Sequence, residues 1–115
     1  MSYQAVILTV SDSCAAGTRT DTSGPAIRAM LENAGFAVQA MQTVPDEEGQ
    51  ISAAIVHACD ILQADLVVTT GGTGLSPRDV TPEATLAVLD REIRAIPVAM
   101  WVEGLKSTPR AMLSR

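Results

Sequence analysis

Aromatic side chains are nearly absent from this chain: one Trp, one Tyr and one Phe, 3% of 115 residues. With 47% hydrophobic residues overall, the core has to be built from Ala, Val, Ile and Leu, which suits helices packed on a parallel sheet better than an aromatic-rich barrel. A single histidine, His57, excludes a multi-histidine metal site. Two cysteines, Cys14 and Cys59, make neither a disulfide framework nor metal-type spacing. No apolar run approaches the roughly 18 residues that a membrane span needs. No charged segment leads into an apolar one as in a secretory signal, so the expected location is cytoplasmic. Basic residues are the minority, and a net charge of -5 argues against a broad nucleic-acid surface. An anionic small ligand stays open, because local donors outweigh net charge at a closed site.

What is present reads as one domain, residues 1–115, of class α/β. Residues 4–10 form a fully buried strand, and Ser11 to Gly17 its C-terminal loop. A helix follows over about 22–34, with Ile27, Met30, Leu31 and Ala34 on one face and Gly35 closing it; Asp21, Thr22 or Ser23 caps it. Residues 36–41 make a second strand nearer the sheet edge. Pro45-Asp46-Glu47-Glu48 opens a helix whose apolar face is Ile51, Ile55, Ala58 and Leu62, with Asp46 as a natural N-cap. Residues 65–70 are the third strand. Thr81-Pro82-Glu83 starts a helix carrying Leu86, Leu89 and Ile93; Pro97 restarts the chain in another, and Thr108-Pro109 in a last short one. Three strands make a thin sheet, so a missing C-terminal strand or a covering subunit is expected.

The most informative stretch is Thr69-Thr70-Gly71-Gly72-Thr73-Gly74 with Arg78-Asp79-Val80-Thr81-Pro82-Glu83 behind it. A strand runs into a glycine-rich turn and then a helix start. That places backbone N–H groups, an arginine and a carboxylate around one concavity at the carboxyl end of a strand, where open α/β sheets bind ligands. It is neither a dinucleotide fingerprint nor a Walker loop, yet three glycines exceed what a tight turn needs. Asp79 reads equally as a loop acid paired with Arg78 or as a carboxylate holding Mg²⁺ near phosphates. Ser11 and Asp12 bring a hydroxyl and a carboxylate to the same rim, and Asp21, Ser23 and Gly24 offer either capping groups or ligand donors.

Together, Thr9-Val10-Ser11-Asp12, Asp21-Thr22-Ser23-Gly24, Pro45-Asp46, Thr70 to Gly74, Arg78 to Thr85 and Thr108 to Arg115 closely resemble the MogA/MoaB family, the molybdopterin-binding family of molybdenum cofactor biosynthesis that includes the gephyrin G domain. The resemblance implies a three-layer α/β/α fold with a mostly parallel sheet, usually as a homotrimer. It implies adenylyl transfer from ATP to molybdopterin, releasing pyrophosphate, with the product passed to a molybdate-insertion protein. Asp46 and Asp79 match the family's two central aspartates, as catalytic residues and Mg²⁺ ligands. Matching its ligand-binding segments are Ser11, Asp12, Asp21, Ser23, Gly24, Gly71, Gly72, Thr73, Gly74, Arg78, Thr81, Pro82, Ser114 and Arg115. Two departures stand out. Family members continue past Ala111–Arg115 into another strand and a Pro-Gly loop that this sequence does not show. Arg94 to Trp101 also replaces a Pro-Gly turn and a more polar helix. The alternative expectation is therefore a binding module that holds molybdopterin without transferring AMP, or a truncated relative.

Overall fold

The computed structural model describes residues 2–115. Three strands, β1 (Gln4–Val10), β2 (Ala37–Val44) and β3 (Leu66–Thr70), form one parallel sheet in the order β2-β1-β3. Ala5 to Leu8 of β1 are completely buried, as the continuous apolar run of a central parallel strand requires. Alternation along β1 divides its side chains between two layers. Val6, Leu8 and Val10 meet Ile51, Ile55, Ala58 and Ala84 in the main core, which lies under α3 (Glu48–Val56) and α4 (Thr81–Leu86). The Ser52 hydroxyl ties these two helices by donating to the Ala84 carbonyl at 2.8 Å. The opposite face of β1 is covered by α2 (Ser23–Asn33), which packs on β1 and β2. The result is the expected α/β/α layering.

Several local expectations change. Residues 12–15 form a one-turn helix, α1 (Asp12–Ala15), instead of a loop, because the Ser11 hydroxyl accepts from the Cys14 N–H and caps it. β2 runs on to Val44, in register with Val10, after a bulge that admits Gln39. Asp46 does not cap α3: Glu47 holds the cap position with no side-chain bond, since the Asp46 carboxylate is engaged elsewhere. The helix continues past Val56 as a π-helical turn, His57–Ile61. α4 stops at Leu86, leaving Leu89 and Ile93 outside it and all three side chains exposed. α5 (Ala95–Leu105) begins two residues before Pro97, and its apolar side chains, Trp101 included, are largely exposed. The last element is a 3₁₀ turn, Pro109–Leu113, capped by the Thr108 hydroxyl as its sequence requires.

Parallel pairing aligns Val10 with Val44 and Thr9 with Thr70. The loops after all three strands therefore leave one edge of the sheet together, and this is what assembles a site from distant parts of the chain.

Candidate functional site

Those loops enclose a polar cavity of about 270 Å³ at the carboxyl ends of β1 and β3. Its floor is the glycine turn. Gly71 (φ +93°) and Gly72 (φ +66°) both occupy the left-handed region. A Cβ on Gly71 would collide with the Val10 carbonyl; one on Gly72 would collide with Thr81 Oγ1 and lie 3.0 Å from Asp46 Oδ1. Only glycine fits either position. The buried Thr81 clasps the turn from the start of α4: its hydroxyl donates to the Gly71 carbonyl at 2.8 Å and its N–H to Gly72 at 3.0 Å. Thr81 and Pro82 thus stand behind the turn and do not line the cavity.

Asp46 and Asp79 both line it. Asp46 is gripped reciprocally by Asp12: the Asp12 N–H donates to Asp46 Oδ2, and the Asp46 N–H donates to Asp12 Oδ1, each at 2.9 Å. Arg78 then closes on Asp12 with two donors, Nε at 3.0 Å and an Nη at 2.9 Å. This guanidinium, followed by the Asp46 N–H, holds the Asp12 carboxyl below the usual carboxylate range, and the pairing raises Arg78 further. The pairing of Asp79 with Arg78 is not found. Asp79 instead accepts from the Ser76 N–H and hydroxyl at 3.1 and 2.8 Å.

Asp21 and Ser23 also face the cavity. Asp21 takes a hydrogen bond from the Thr9 hydroxyl at 2.8 Å and caps α2 by accepting from the Gly24 N–H at 3.0 Å. Gly24 is buried beneath it, and a Cβ there would collide with the Asp21 carboxylate. Ser11 lines the wall while capping α1; Asp12, Gly24, Thr73, Gly74 and Arg78 lie outside the lining.

Ser114 and Arg115 are placed elsewhere. They border a second, apolar recess with Trp101, Leu105 and Met112. The Arg115 side chain fastens the glycine loop by donating to the carbonyls of Gly74 (3.0 Å) and Asp79 (2.7 Å) and pairing with Glu83, while its N–H reaches the Thr73 carbonyl. That arginine holds the Glu83 carboxyl below its ordinary range.

Arg19 also lines the cavity and makes no ion pair among the described residues. Its one signal in the sequence is being the only cation between the end of β1 and the start of α2. Three acids, Asp21, Asp46 and Asp79, share the cavity lining with this lone arginine. A phosphate ligand entering here needs a cation with it. No group of three His, Cys, Asp or Glu side chains forms a metal cage among the described residues. Two separate carboxylates suit Mg²⁺, which takes few protein ligands and completes its shell with water and phosphate oxygens.

Residues 6–115 match the family model described as a probable molybdopterin binding domain. The chain is 38% identical over 110 residues to the molybdenum cofactor synthesis protein cinnamon of Drosophila melanogaster, covering 95% of this chain and 18% of that protein. It is 40% identical over 111 residues to a molybdopterin adenylyltransferase of Haemophilus influenzae, covering 95% and 56%. It therefore spans less than two thirds of the length of these curated relatives. Among solved structures, the molybdopterin biosynthesis enzyme MoaB of Thermus thermophilus superposes with a TM-score of 0.91 at 46% identity, over 98% of this chain and 71% of that one.

Proposed function

Because the chain belongs to the family of probable molybdopterin binding domains, we propose that it acts in molybdenum cofactor biosynthesis as a molybdopterin adenylyltransferase. The observation that carries this reading is the meeting of Asp46 and Asp79 on one cavity floored by the Gly71–Gly72 turn. The relatives named for adenylyl transfer support it. A phosphate oxygen of molybdopterin attacks the α-phosphorus of ATP; that P–O bond forms as the α–β bond breaks and pyrophosphate leaves.

Such a transfer needs positioning and charge neutralisation more than a protein nucleophile. Asp46 and Asp79 would hold Mg²⁺, which would supply neutralisation of the charge that develops on the phosphates. The glycine turn lets the ligand approach the backbone of residues 71–74, whose N–H groups would act as preorganised donors. Ser11, Asp21, Ser23 and Arg19 would orient the ligand from the opposite wall. The exposed apolar side chains of α5 would be covered in a homotrimer. Within the described residues no helix is long and apolar enough to cross a membrane. The work would be cytoplasmic and end in handing the product to a molybdate-insertion protein.

The test is AMP transfer from ATP to molybdopterin, with Mg²⁺ present and omitted. Metal-dependent product is expected. A folded chain that binds molybdopterin and forms no product would refute the enzyme and leave a binding module.

A further inference from the structure

Asp12 and Arg78 were expected among the ligand-binding residues, yet neither lines the polar cavity. Their polar atoms are turned on each other and on Asp46. Asp12 Oδ1 accepts from both the Asp46 N–H and Arg78, and Asp12 Oδ2 accepts from Arg78 Nε. The Asp12 N–H is spent on Asp46 Oδ2. Asp46 is thereby held at its backbone and at one carboxylate oxygen, leaving Oδ1 toward Gly72, the side of the turn where no Cβ fits. Arg78 directly precedes Asp79, so the same fork ties the loop bearing Asp79 to the loop bearing Asp46.

We propose that Arg78 and Asp12 are positioning residues that form a strut between the two acid-bearing loops, fixing Asp46 and Asp79 relative to each other without contacting substrate. This rests on the reading of those two acids as the reacting centre of the transferase. The two side chains are 57% and 45% exposed, and an ion pair so open to water adds little to stability. Its geometric content is larger, because two parallel N–H···O bonds fix orientation as well as distance. Lysine keeps the charge and loses the fork.

Four variants of the full chain test this: Arg78→Ala, Arg78→Lys, Asp12→Asn, and Arg78→Ala combined with Asp12→Asn. The unfolding midpoint should hardly move. With the acids released, kcat should fall roughly tenfold to a hundredfold, the scale of a misplaced reacting group, while KM and Kd for molybdopterin stay within about twofold. Arg78→Lys should remain well below wild type, and the double variant should be no worse than the poorer single one, as for two parts of one device. Amide exchange at Asp12 and Asp46 should quicken about tenfold in Arg78→Ala. A KM or Kd raised tenfold at unchanged kcat would make Arg78 a substrate contact and overturn the strut, as would multiplicative losses in the double variant or unchanged exchange. Should wild type transfer no AMP, the transferase reading fails separately, and the exchange measurement alone decides whether the strut holds Asp46.

Discussion

Replacing Gly72 with alanine adds one carbon where the backbone and a neighbour both refuse it. The φ of +66° costs an L-residue about 1–2 kcal/mol. The new Cβ also falls inside contact distance of Thr81 Oγ1 and 3.1 Å from Val10 Cγ1. Thr81 is 3% exposed, so its hydroxyl can escape only by giving up the bond to the Gly71 carbonyl, a further loss of about 1 kcal/mol. Gly72→Ala should therefore destabilise by about 2–3 kcal/mol in urea unfolding, and lower the melting temperature by roughly 10 °C for a domain of this size. Gly17 separates the two contributions: its φ is +78°, with nothing within 4 Å of an added Cβ, so Gly17→Ala should show the backbone cost alone. Introducing Thr81→Ala first should bring the Gly72→Ala penalty down toward the Gly17→Ala value, the remainder coming from the close approaches to Asp46 Oδ1 and Val10 Cγ1. Equal penalties at Gly17 and Gly72 in the wild-type background, or a Gly72 penalty indifferent to Thr81, would refute the reasoning.

Asp79→Asn should lower AMP transfer at least a hundredfold while molybdopterin binding stays within a few-fold; equal loss of both, by isothermal titration beside the kinetic assay, would remove Asp79 from the metal-holding role. Glu83 is held below its ordinary range by Arg115, so its contribution to stability is complete above about pH 4.3 and is lost as the pH falls through its lower folded value. Glu83→Gln should accordingly flatten the acid side of the stability curve and leave the neutral side nearly unchanged, as followed by denaturant midpoints between pH 3 and 7 (approximate limits set by the carboxylate range). Gly49 lies in the first turn of α3 with nothing within 4 Å of an added Cβ; Gly49→Ala should stabilise by roughly 0.5–1 kcal/mol, measured by urea unfolding.

The elements that local chemistry determines were readable before any coordinates: the buried run of β1, the glycine turn after β3 and the Thr108 cap. Misreadings arose where a distant residue decides. Pro45-Asp46-Glu47 has the composition of a capped helix start, but the Asp46 carboxylate is claimed by an N–H 34 positions away. Leu86, Leu89 and Ile93 follow helical spacing. Yet α4 ends at Leu86 and the chain restarts as a helix at Ala95, which puts Pro97 in a first turn, where its missing N–H is tolerated. In the candidate site, Gly71, Gly72 and Asp79 are legible from sequence because open α/β sheets bind ligands at the carboxyl ends of their strands, whereas Asp46 reads locally as a cap and only the family resemblance points it to the site. The partners of Arg78 and Arg115 could not, since long side chains choose among several acids and carbonyls only once the loops are docked. An isolated arginine in a polar loop carries no pattern, so the sequence alone does not single out Arg19.

The hold of Arg115 on Thr73, Gly74, Asp79 and Glu83 also has a bearing on time. The loop from 73 to 79 is fastened by a residue some 36 to 41 positions downstream, across α4, α5 and the 3₁₀ turn. Refolding must close that long span before the loop keeps one shape, whereas the β1–β2 pair can assemble from the first 44 residues. The cavity therefore stays incomplete when only the β1–β2 pair has formed, because it also needs β3, paired with β1 across 61 positions, and the Arg115 clasp. A stopped-flow experiment following both secondary structure and ligand capture would record them as two events, with the capacity to bind lagging behind the backbone.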